Sequence, residues 1–170
     1  PDEMVPLWVA SWNGDADIVR ALLQAGVVNI EHGNQGTTPL MEAVAQGYAD
    51  VVDMLLHAGA NSIHDGASPL ALAAANNEID MAVMLIKYGA DVNQLSPVHG
   101  ETAIFDAVRE ARPDMVKLLI AENANVAIKS LRGSVVLHMA VFREDTQLVQ
   151  MLMDAGADLE AADRKGVTPL

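Results

Sequence analysis

Paired apolar residues one helical turn apart recur along the chain. Ile18-Val19 leads to Leu22-Leu23, Val51-Val52 to Leu55-Leu56, Met115-Val116 to Leu119-Ile120 and Leu148-Val149 to Leu152-Met153. The spacing predicts amphipathic helices that each bury one face. Ahead of each lies a shorter segment of small residues, such as Ala43-Val44-Ala45 or Ala73-Ala74-Ala75. A helix that short does not persist alone, so packing against neighbours must hold it. Its start is nevertheless specified locally. Proline in the first turn loses no backbone hydrogen bond, and Thr38, Ser68 or Thr168 stands where a side chain can cap the free amides. Gly26, Gly59, Gly89 and Gly156, with Asn123 in the fourth unit, stand where a left-handed residue ends the second helix. The residues after that stop, as in Gly89-Ala90-Asp91-Val92-Asn93, are turn material.

These pieces recur with a period. Gly36, Gly66, Gly100, Gly133 and Gly166 lie 30, 34, 33 and 33 residues apart, and Glu3 sits 33 before Gly36. Each opens a similar stretch: Val5-Pro6-Leu7-Trp8, Thr38-Pro39-Leu40-Met41, Ser68-Pro69-Leu70-Ala71, Thr102-Ala103-Ile104-Phe105, Val135-Val136-Leu137-His138 and Thr168-Pro169-Leu170. The units run approximately over residues 3–35, 36–65, 66–99, 100–132 and 133–165, with a sixth begun at 166–170. The chain resembles an ankyrin-repeat array, whose unit is a β-turn finger followed by two antiparallel helices, here A and B, with a T-P-L-H-x-A signature. The resemblance implies an all-α solenoid in one domain over residues 1–170. A tetratricopeptide array has a similar period but is not expected to set a Thr-Pro-Leu start beside a Gly-Ala-Asp-Val-Asn stop.

Some positions depart from that pattern. His138 alone keeps the signature histidine, where the other units have Trp8, Met41, Ala71 and Phe105. The turn between helices A and B has Gly14 and Gly47 in the first two units, then Asn77, Ala111 and Glu144. A left-handed Ala or Glu costs about 1–2 kcal/mol, so those turns are either strained or differently shaped. The opening Pro1 and the unfinished unit at Leu170 read as a slice of a longer array or multidomain protein, because terminal repeats normally carry a polar outer face.

Composition narrows the partners. With 51% apolar and 19% charged residues the chain can bury a core. Its net charge of −13 repels a phosphate backbone, so nucleic acid is not an expected ligand. No apolar run is long enough to span a membrane, and the absence of cysteine fits a reducing compartment, which together predict an intracellular, cytoplasmic chain. Residues 1–99 hold 12 acids and two bases, which predicts either a basic partner there or acidity that keeps a long apolar stack soluble. Residues 100–132 balance at five of each.

The sequence offers no activated nucleophile, phosphate loop or zinc-protease motif, and the expectation is a non-catalytic chain without cofactor or metal. His32, His64 and His99 fall in successive fingers, but at different offsets from the following glycine, so they do not read as one coordination site. Acids such as Asp15, Asp17, Asp50 and Asp53 read as helix-start charges, and His138 as a buried structural tie. By the ankyrin resemblance, partners dock on a concave face made by the fingers and the ends of helices A. Carried over position by position, that face comprises Trp12, Asn13, Gln46, Asn76, Arg109, Glu110, Phe142 and Arg143 on the helices, with His99, Glu101 and Arg132 in the fingers and Tyr48 extending it. The expected function is protein recognition by rigid display. The competing reading is a structural spacer or the regulatory arm of a larger enzyme or channel. Asn93 also resembles a site that asparaginyl hydroxylases modify in ankyrin repeats.

Overall fold

A proline-started segment of small residues and an amphipathic segment one turn later can each bury their apolar atoms only against neighbours, and the chain solves this by stacking. The computed structural model describes residues 5–26, 29–34, 36–61 and 68–169. Among these residues it contains ten helices in five pairs. The A helices are α1 (Pro6–Asn13), α3 (Pro39–Gln46), α5 (Pro69–Asn76), α7 (Ala103–Arg109) and α9 (Val136–Phe142). The B helices are α2 (Ala16–Ala25), α4 (Ala49–His57), α6 (Ile79–Lys87), α8 (Pro113–Ala121) and α10 (Thr146–Asp154). Each A helix packs on its own B helix and on the A helix of the next pair, and the B helices form a second row. The result is an all-α solenoid.

The repeated leucine position forms the spine of the core. Leu7, Leu40, Leu70, Ile104 and Leu137 are fully enclosed, as are Ala43, Ala73, Ala107 and Ala140 three residues further along. The alanines let adjacent A helices approach closely, and truncating one of the enclosed leucines to alanine costs about 2–5 kcal/mol. Phe105, in the signature histidine position, is also buried, so this departure fills core volume where a polar tie is expected.

The A–B turns resolve the ambiguity in the sequence. Asn77, Ala111 and Glu144 adopt φ of 63°, 51° and 58°, the same left-handed region as Gly14 and Gly47. Those turns keep the shape of the glycine turns and carry the strain. One expectation needs correction at the helix starts. The Thr38 hydroxyl accepts from the Met41 amide at 3.2 Å as expected, but Ser68 makes no such cap, so the fixed φ of Pro69 orders the start of α5. The cap expected at Thr168 leads into Leu170, which lies outside the described residues.

Candidate functional site

Three kinds of inter-repeat tie position the candidate residues. The first closes the fingers. Asn29, Asp91, Asn125 and Asp158 each accept, through the side chain, from the amide two residues on, at 2.9–3.1 Å. These turns present Glu31 and Asn93 to the next repeat, where the Asn61 amide donates to Glu31 Oε1 at 2.6 Å and the Asn125 amide to Asn93 Oδ1 at 2.7 Å. Asn93 Nδ2 donates in turn to the Asn123 carbonyl at 3.3 Å. The amide group of Asn93 is thus a latch between the third and fourth units.

The second tie joins the ends of the A helices, where carbonyls lack intrahelical partners. Asn76 reaches back to the Ala45 carbonyl at 3.4 Å, Arg112 Nε to the Ala75 carbonyl at 3.4 Å, and Arg143 to the Arg109 carbonyl. Asn76 and Arg143, both expected as partner contacts, therefore also stitch the stack. The third tie involves the signature histidine position. The His138 Nδ1 accepts from the Val135 amide at 3.2 Å, which leaves Nε2 to donate to the Val167 carbonyl of the next finger at 3.0 Å. The residue is half-buried rather than buried as the sequence suggested. In the first unit the Trp8 indole takes over this role by donating to Thr37 Oγ1 in the next finger at 3.0 Å, a bridge with no local signal in the sequence.

The candidate contact residues divide accordingly. Phe142 is 88% exposed and Trp12 49%; Trp12 rests against Trp8 with ring centroids 5.7 Å apart. Asn13, Gln46, His99, Glu110 and Arg132 are exposed. The Tyr48 ring covers Gly14 in the preceding A–B turn, directly after Asn13, where an added Cβ would come within 2.7 Å of it. Arg109 is committed internally, pairing with Asp106 and Glu101. Burial pushes the Asp106 carboxyl up, against the pull of Arg109. Phe142, Arg132 and Glu101 line a single groove of about 480 Å³ with Phe105, Met139 and His138. Phe105 and Met139 were not expected here, because nothing local in the sequence marks them as groove floor.

Among the described residues no three His, Asp or Glu side chains are placed to hold a metal ion; His32 and His99 are exposed, and His64 lies outside those residues. Asp53 sits in the second turn of α4 and faces His57 at 3.2 Å, whose ring meets the Tyr88 hydroxyl at 2.8–2.9 Å. Among the described residues no helix is long and apolar enough to cross a membrane.

Family models for ankyrin repeats match residues 1–65 and 59–130 as multi-repeat blocks and residues 132–164 as a single repeat. The chain belongs to the ankyrin-repeat family. Among curated proteins it is 33% identical over 163 residues to the nuclear factor NF-kappa-B p105 subunit of Gallus gallus, covering 90% of this chain and 16% of that protein. It is 36% identical over 167 residues to the ankyrin repeat and KH domain-containing protein mask-1 of Caenorhabditis elegans, covering 96% and 5%. The ankyrin repeat and SAM domain-containing protein 6 of Rattus norvegicus matches at 32% over 90 residues, covering 52% and 10%. The chain thus spans under a fifth of each of these relatives. Ankyrin repeats serve in general as non-catalytic protein-interaction modules, and ties between repeats are what an ankyrin array needs to hold a binding surface rigid.

Proposed function

We propose that this ankyrin array recognises a protein partner through the face made by its fingers and the ends of its A helices. The observation that carries the reading is the pair of exposed aromatics Trp12 and Phe142. They occupy equivalent positions in α1 and α9, and both are exposed. Aromatic side chains held in place are the usual anchors of interfaces. The stacking ties order the scaffold in advance, so association loses little free energy to ordering it. The acidity of residues 1–99 supports a basic partner surface there, with association that slows as salt rises.

The test is a pull-down from source-cell lysate with the wild type and with a Trp12→Ala/Phe142→Ala double variant shown to melt like the wild type. Arg109 is left intact because it neutralises Glu101 and Asp106. A partner captured by the wild type and lost by the variant supports the reading. Identical capture by both moves the spacer role ahead. For Asn93, hydroxylation would add one oxygen to a residue whose amide is already latched to the next repeat; an unmodified mass for its peptide in protein from the native cell would dismiss it.

A further inference from the structure

The charge of the chain is unevenly distributed. Between Asn123 and Arg143 there is no Asp or Glu, while Lys129, Arg132 and Arg143 all fall in that stretch of a protein with net charge −13. This stretch contains the fourth finger and α9, and it supplies most of the lining of the groove beside Phe142.

The groove has an apolar floor and, among its described lining residues, a cation at its mouth, Arg132, that has no ion-pair partner. Phe105 is 2% exposed at the base, Met139 and Val141 are half-buried, and Phe142 stands up at the rim. At about 480 Å³ it has room for one large apolar side chain with its backbone. His138 is not free to bind, since both ring nitrogens are engaged.

The neighbouring carboxylates have partners other than Arg132. Glu101 and Asp106 share Arg109, and Asp163 accepts from the amides of Lys165 at 2.8 Å and Val167 at 2.9 Å. Arg132 is exposed and its side chain has no ion-pair partner among the described residues. Arg143 donates only to a neutral carbonyl. Arg164 is held beside Arg132, its amide 3.3 Å from the Arg132 carbonyl. At Arg132, therefore, an anion finds a cation without an ion-pair partner, whereas residues 1–99 hold 12 acids and two bases.

We propose that this groove takes a partner segment carrying a large apolar side chain next to a carboxylate. The apolar group lies over Phe105 and Met139 against Phe142, and the carboxylate pairs with Arg132. The inference rests on the proposed recognition role and adds the chemistry of the partner at this end: acidic and apolar here, basic along the first three repeats. A fork-shaped guanidinium suits a carboxylate, and an adjacent apolar pocket keeps water from competing for it.

The experiment is selection of a displayed random-peptide library on the 170-residue chain and on its longest natural form, followed by fluorescence anisotropy with labelled synthetic copies of the enriched peptides. The expected consensus pairs Leu, Met, Phe or Trp with Asp or Glu within two residues. Binding should weaken at least about tenfold in Phe142→Ala and about three- to tenfold in Arg132→Glu, and hold in Trp12→Ala. Replacing the peptide's acid by lysine should restore binding to Arg132→Glu. Both substituted side chains are exposed, so the folded state is expected to survive, and a melting curve checks it. A consensus without acids, or binding indifferent to Arg132→Glu, overturns the proposal. So does loss of peptide binding in the longer form, which would assign the groove to a following helix, or self-association abolished by Phe142→Ala, which would assign it to a second copy. Peptides lost in Trp12→Ala but not in Phe142→Ala would overturn this proposal while leaving the recognition role standing.

Discussion

Glu144 offers the cleanest test of how backbone strain is distributed in this array. It is exposed, closes the turn between α9 and α10, and adopts φ of 58°. Its amide donates to the Val141 carbonyl at 2.9 Å, a bond that any residue at this position keeps. A left-handed L-residue costs about 1–2 kcal/mol. Glutamate-to-glycine substitution removes that cost, but glycine loses more chain freedom on folding, by about 0.4–1 kcal/mol. Glu144→Gly is therefore expected to stabilise by about 0.5–1 kcal/mol, which for a chain of this size raises the melting midpoint by about 1–4 °C. The proper comparison is Glu144→Ala, which removes the same charge and keeps the strain. Urea unfolding followed by far-ultraviolet circular dichroism measures both. The converse site is Gly47, at φ 81°, where an added Cβ would make only an ordinary 3.5 Å contact with Glu78; Gly47→Ala should lose about 1 kcal/mol from the backbone alone. If Glu144→Gly proves no more stable than Glu144→Ala, the strain does not reside at this residue and the reasoning fails.

Other substitutions probe the ties between repeats. Trp8→Phe keeps an aromatic ring but deletes the donor to Thr37, and should cost about 0.5–1.5 kcal/mol by chemical denaturation; no loss would mean the bridge contributes nothing. Arg109→Ala leaves Glu101 and Asp106 facing each other without a counter-ion. Because the arginine side chain is 39% exposed, the cost is discounted to about 1–2 kcal/mol, and thermal melts should show it while Arg132→Ala leaves the midpoint unchanged. Hydrogen bonds from the amides of Val167 and Lys165, the former the stronger influence, hold the Asp163 carboxyl below its ordinary value of 3.8. An acid whose folded pKa is depressed stabilises the fold above its unfolded pKa and loses that contribution as pH falls through the folded one. The last finger should therefore loosen as pH drops below about 4. A protection factor at the Val167 amide, taken relative to the intrinsic exchange rate at each pH, that falls there in wild type and is already low at neutral pH in Asp163→Ala, would bear this out; an unchanged protection factor would refute it.

The parts of this molecule that could be read from its sequence are those set by neighbours in the chain. Helix pairs arise from apolar spacing, the start at Pro39 and the cap at Thr38 from residues that touch within one turn, and the left-handed positions from their offset after each A helix. Even there a local signal was not sufficient: Ser68 has a capping side chain and does not use it. Exposure at Phe142 and the internal commitment of Arg109 are different matters. Equivalent positions in the repeat hold Ala45, Ala75, Arg109, Trp12 and Phe142, and the same offset produces an ion-paired side chain in one unit and an open aromatic in another. What decides between them lies across a repeat boundary or beside another element. Trp8 finds Thr37 at a separation of 29 residues, Asn76 finds Ala45 at 31, and the Phe142 groove draws on three fingers and two A helices. Stacking places residues about one period apart within hydrogen-bonding reach, so partner, burial and charge balance at each surface position are properties of two repeats in contact. A single repeat's sequence contains its helices and turns; only the stacked structure decides which of its side chains hold the array together and which face outward.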